Sequence, residues 1–61
     1  MREYRYFFLR PDGSIQETGI YRHPDDLAAL ETAQELPRTG IVEAWDAARL
    51  VFRIAPDGGP A

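Results

Sequence analysis

Tyr4 to Tyr21 reads YRYFFLRPDGSIQETGIY, two apolar-rich segments joined by Pro11-Asp12-Gly13. Pro presets φ for a first turn position, Asp tolerates the second, and Gly is free to take a positive φ, so the three residues specify a tight reversal. The flanking segments, Tyr4 to Arg10 and Ser14 to Tyr21, are rich in aromatic and β-branched residues and predict a β-hairpin. If Arg10 faces Ser14, Leu9 falls opposite Ile15, Phe7 opposite Glu17 and Tyr6 opposite Thr18. Side chains alternate along a strand, so one face of the hairpin carries Tyr4, Tyr6, Phe8 and Ile20, and the other Arg5, Phe7, Leu9, Ile15 and Glu17. The first set is expected to join the core.

Downstream, His23-Pro24-Asp25-Asp26 reads as a helix start, with Pro24 at the first helical position and two carboxylates where the helix dipole favours them. The helix is predicted from about Pro24 to Leu36, with Leu27, Leu30, Ala33, Ala29 and Leu36 on its core side and Glu31, Thr32 and Glu35 in solvent. Pro37 and Gly40 end it. Ile41 to Asp46 and Arg49 to Ile54 predict two more strands around Ala47-Ala48. Ala disfavours positive φ, so a type I turn or a longer loop is expected there. With Asp46 opposite Arg49, one face collects Ile41, Glu43, Trp45, Leu50, Phe52 and Ile54, and the other Val42, Ala44, Val51 and Arg53. The larger set is expected against the helix, with Glu43 at its rim in a salt bridge, because a buried carboxylate needs a partner. Pro56 to Ala61 lacks an apolar anchor and is expected to form a flexible tail.

The order β-β-α-β-β predicts an α+β fold of two layers, a four-stranded antiparallel sheet in order 2-1-3-4 with one helix on one face. Residues 1–55 form the single domain and 56–61 the tail. Gln16, Glu17 and Thr18 on one edge strand, and Arg49 and Arg53 on the other, discourage uncontrolled pairing.

With 61 residues the chain has room for one small core, and with no Cys that core must hold without disulfides or thiolate zinc. Stability is expected at roughly 3 to 9 kcal/mol from the usual range per residue. Apolar residues at 44% and charged ones at 28% exclude a disordered chain, and no apolar run approaches spanning length. The net charge of −3 argues against a nucleic-acid or anionic-membrane partner. All seven basic residues are Arg, and Ala, Gly, Pro and Arg fill 25 of the 61 positions, a bias of GC-rich bacterial coding. The first residues move straight into an alternating segment without a charged-then-apolar leader, which predicts a cytoplasmic protein.

The spacing Tyr4-Arg5-x-x-Phe8-Leu9, Asp12-Gly13-x-Ile15, Asp25-Asp26-x-Ala28-Ala29-Leu30, Leu36, Gly40 and Glu43-x-Trp45-x-x-Ala48-Arg49-Leu50-Val51-x-Arg53-Ile54 resembles a group of short, uncharacterised bacterial ββαββ proteins. The likeness spans nearly the whole chain. It implies a free-standing bacterial domain and carries no activity, cofactor or catalytic residue.

Candidate chemistry is sparse. His23 is the only histidine, which excludes a two-histidine metal site within one chain, and with Asp25 and Asp26 it reads as helix-start chemistry rather than a base or cation site. Ser14, the one serine, sits in the hairpin turn, and no Gly-rich phosphate loop is present. The expectation is a non-enzymatic domain with no catalytic residue, cofactor or metal. Its informative feature is the sheet face away from the helix, where Phe7, Leu9, Ile15, Val42, Ala44 and Val51 are expected to form an interface with a second copy or another protein. The alternative is a nucleic-acid-binding module in which Arg5, Phe7 and Arg10 stack on and neutralise a single strand.

Overall fold

The Pro11–Gly13 reversal closes with Arg10 N donating to Ser14 O at 2.8 Å and Gly13, at φ +91°, donating to Arg10 O at 2.8 Å. Asp12 accepts from Ser14 Oγ at 2.7 Å and Ser14 N at 2.9 Å, bonds that hold its carboxyl below the usual range. A computed structural model describes residues 1–61. Its elements are β1 (Arg2–Leu9), β2 (Ile15–His23), α1 (Asp26–Glu35), β3 (Val42–Asp46) and β4 (Arg49–Ile54). The sheet order is β2-β1-β3-β4, with every neighbouring pair antiparallel. The expected ββαββ architecture is therefore present, and each hairpin carries one irregularity that moves residues between faces.

In the first hairpin Leu9 pairs with Ile15 as expected, but the register then shifts, so that Phe8 meets Glu17, Phe7 meets Thr18 and Arg5 meets Ile20. Gln16 is the extra residue of a β-bulge, and beyond it every β2 side chain changes sides. Ile20 thus leaves the expected core set for the outer face, where it is 58% exposed. Glu17 moves the other way.

The second hairpin repeats the pattern. Trp45 pairs with Leu50, but Ala44 pairs with Phe52, Glu43 with Arg53 and Val42 with Ile54, leaving Val51 as the extra residue. The bulge brings Phe52 and Ile54 onto the side of Val42 and Ala44. That side faces the helix, so the assignment of Val42 and Ala44 to the open face is corrected: both are fully buried, and Val51 packs against the core. Glu43 and Trp45 take the open face instead. Sending Trp45 inward would have carried Glu43 with it, two residues along the same strand, and a carboxylate costs more to desolvate than an indole costs to leave half exposed.

Size complementarity fills the interior. Tyr4 and Tyr6 from β1 are fully buried, and the elements facing them supply Ala29 and Ala33 from α1, Val42 and Ala44 from β3, and Ile54 from β4. Buried phenols need acceptors. Tyr4 Oη donates to Asp26 Oδ1 at 2.7 Å and Tyr6 Oη to the Ala29 carbonyl at 2.6 Å, which leaves no buried side-chain polar atom unpaired.

Asp25 is the N-cap, its carboxylate accepting from Ala28 N at 2.9 Å, so the helix starts two residues later than expected, with Pro24 outside it. Leu27, expected in the core, is 63% exposed, because it lies about 160° around the helix from Ala29. At the other end no basic residue occupies the last turn. Arg38 takes that role from the following loop. Its guanidinium donates to the carbonyls of Ala33, Gln34 and Leu36 at 3.0, 3.0 and 3.1 Å, and to Pro56 at 3.0 Å. Of the three at the helix end, Ala33 O also accepts from Leu36 N at 3.3 Å, and together they carry the negative end of the dipole. Arg38→Met, which keeps the stem, is expected to lower stability by about 1–2 kcal/mol, read as an earlier urea midpoint at unchanged slope. A midpoint equal to the wild type would show that water replaces the guanidinium without loss.

The Ala47-Ala48 connection is tighter than expected, and Ala47 takes φ +54° to achieve it, a strain of about 1 kcal/mol. The segment expected to fray turns back on the sheet. Gly58 N donates to Ala55 O at 2.9 Å, Ala55 N to Gly59 O at 2.7 Å and Ala61 N to Arg53 O at 3.4 Å, while Pro60 bridges to Ile54.

Candidate functional site

The ladder registers fix what the open face displays. One row across the four strands reads Ile20, Arg5, Trp45, Leu50, and the next reads Thr18, Phe7, Glu43, Arg53. Beyond Phe7 along β1, Leu9 lies beside Ile15. Side chains of β1, β2 and β3 line a shallow concavity of about 820 Å³, where Phe7, Leu9, Ile15 and Trp45 alternate with the charged Arg5 and Glu43. Ile20 at 58%, Ile15 at 55% and Leu50 at 42% exposure keep much of their apolar surface in water.

Three of the six residues expected on this face are there: Phe7, Leu9 and Ile15. Val42, Ala44 and Val51 are not. Trp45, Ile20 and Leu50 take their place, so the face remains apolar with a different membership. The signal that identifies Trp45 in the sequence is its spacing from Glu43, which ties both to one side.

Charge on the face is mostly neutralised internally. Glu43 accepts from Trp45 Nε1 at 3.1 Å and pairs with Arg53 Nε at 3.1 Å, which is the expected ion pair on the other side of the sheet. Arg22 reaches Glu3 at 3.5 Å. Arg10, expected beside Arg5 and Phe7, is held at the hairpin turn by Ser14 Oγ at 3.2 Å and Ile15 O at 3.1 Å. Arg2 pairs with Asp46 at 2.7 Å, Arg49 with Asp26 and Asp46, each at 3.1 Å, and Arg38 with the helix end. Arg5 alone among the seven arginines has neither a side-chain hydrogen bond nor an ion pair.

On the helix side, two polar clusters hold the ends of the fold together. Arg49 and the Tyr4 hydroxyl bond to Asp26 and keep its carboxyl below the usual range, while burial and the bond to Asp26 push Tyr4 up. His23 Nε2 lies 3.1 Å from Tyr6 Oη. That hydroxyl spends its proton on Ala29, so the imidazole is the donor. Burial, with the neighbouring Tyr21 and Tyr4, pushes Tyr6 up to about 12. His23 stacks at 6.4 Å on Tyr21. It faces the aromatic cluster, while Asp25 and Asp26 serve the helix cap and the Tyr4–Arg49 bonds. Groups of three or more potential metal ligands do not occur, and no helix is long and apolar enough to cross a membrane.

No protein family, curated protein or solved structure matches this chain.

Proposed function

We propose that this chain is a non-enzymatic association module whose open sheet face packs against a second copy. One observation carries the reading: Phe7, Leu9, Ile15, Ile20, Trp45 and Leu50 gather on the single face that the lone helix leaves uncovered. Large apolar side chains gathered on one uncovered face mark interaction sites in small domains, even where charged residues such as Arg5 and Glu43 stand among them, and a short chain gains core by sharing such a face.

The dimensions set the strength. At 32 × 19 × 17 Å, no face projects more than roughly 600 Å², so face-to-face packing buries about 1,200 Å² in total, the lower edge of the range for stable complexes. Association is therefore reversible and concentration-dependent. Sedimentation from micromolar to millimolar protein is expected to show mass rising from 6.9 kDa toward twice that value. Emission of Trp45, the only tryptophan, should shift to the blue in step. Phe7→Lys is expected to hold the chain monomeric by placing an ammonium in the interface. A wild-type mass that stays at 6.9 kDa up to millimolar concentration overturns the proposal.

A further inference from the structure

Arg5 stands on a central strand, between Ile20 and Trp45, with no acceptor of its own. Any body that covers the open face takes this guanidinium out of water. An unpaired charge in that position opposes association, so the cover must bring acceptors to it. Resting on the self-association reading, we infer that Arg5 selects the second copy by lying over Trp45 of the partner subunit, within reach of Glu43 of the partner subunit.

Strand order supplies the geometry. In a β2-β1-β3-β4 sheet the midline runs between β1 and β3. Two such faces overlap most fully when a two-fold axis follows that line, with the strands aligned to within about 30°. The operation sets β1 of one copy over β3 of the other at the same level. Arg5 and Trp45 share a level, so each guanidinium meets an indole face, the aromatic surface that attracts cations best. Ile20 and Leu50 share that level too and meet as an apolar pair. Glu43, the next open-face residue along β3, uses one oxygen for Trp45 and one for Arg53. A carboxylate accepts about four hydrogen bonds, so both oxygens keep capacity for a second arginine. Two-fold symmetry makes every one of these contacts twice.

The test compares the dimer dissociation constants of wild type, Arg5→Met and Arg5→Gln by sedimentation equilibrium, with circular dichroism confirming the fold. Arg5→Met keeps the apolar stem and removes the charge. If Arg5 were an unmatched charge in the interface, this variant would dimerise more tightly. With the contact assigned here it is expected to dimerise at least about tenfold more weakly, since two cation–π contacts are lost at once, and Arg5→Gln to behave similarly. Added salt should weaken the wild type more than either variant. A wild-type dimer matched or exceeded in affinity by Arg5→Met overturns this inference and leaves the self-association reading standing. A wild type that never dimerises overturns both.

Discussion

Tyr6→Ala is expected to leave the chain unfolded at room temperature. The ring is the hub of the interior, with centroids 4.6 Å from Tyr21, 6.0 Å from Phe52 and 6.2 Å from both Phe8 and His23. Truncating a buried aromatic costs about 3–5 kcal/mol, against a total of roughly 3–9 kcal/mol for a domain of this size. On the helix and β3 sides the ring's neighbours Ala29 and Ala44 carry only a methyl group, too short to fill the space. The hydroxyl contributes separately: Tyr6→Phe removes the bond to Ala29 and the acceptor for His23, an expected loss of about 1–2 kcal/mol with the fold retained. Amide dispersion in proton NMR and the thermal transition followed by circular dichroism separate the two variants. A cooperative Tyr6→Ala transition close to the wild type would show that the helix does not depend on this ring.

Gly40→Ala is expected to be nearly as damaging, for a steric reason. Gly40 is buried in the connection from α1 to β3. A Cβ built there collides with the Leu9 carbonyl oxygen and comes within 2.9 Å of the Arg10 carbonyl carbon. Both are backbone atoms at the point where β1 enters its turn, and neither rotates aside. Relief requires parting the loop from β1, which breaks the Leu9 N to Ile41 O bond of 2.9 Å that starts the β1–β3 pairing. Overpacking of this kind costs about 3 kcal/mol when the neighbour cannot yield. The expected result is a lower urea midpoint and rapid amide exchange at Leu9. A Gly40→Ala protein as stable as the wild type would mean that the loop shifts freely.

Element order and the two hairpins were legible from residues 4–54, because each rests on a local signal: Pro11-Asp12-Gly13, the acidic start of α1, and Pro37 after it; the pairing of β1 with β3 followed from the one helix crossing from an edge to the middle. The faces were less legible. A bulge adds one residue without changing the turn, and both Gln16 and Val51 lie in runs that also read as regular alternation. From each bulge onward the parity reverses, which is why Ile20 left the core and Phe52 and Ile54 arrived beside Val42 and Ala44. Trp45 misled through its size. The largest apolar side chain suggests burial, yet its neighbour at one remove, Glu43, set the orientation of β3, and two tyrosines had already filled the interior opposite. Arg38 gave no sequence signal as a helix cap, since it follows Pro37 and lies outside the last turn. The free state of Arg5 needed the structure, because it emerges only once the other six arginines have found partners.

The returning C-terminal segment gives the sheet a polarity of growth. Edge-to-edge pairing propagates only when each unit exposes two free borders, as a monomer in chain polymerisation needs two reactive ends. Here Pro60 and Ala61 occupy the border of β4 near Ile54 and Arg53, and Pro60 has no N–H to offer an incoming strand. That end of β4 is capped, while Arg49 to Phe52 and the other edge, β2, have no outer strand beside them. An incoming strand therefore finds fewer free backbone groups along β4 than along β2, which weakens edge-to-edge pairing on that side.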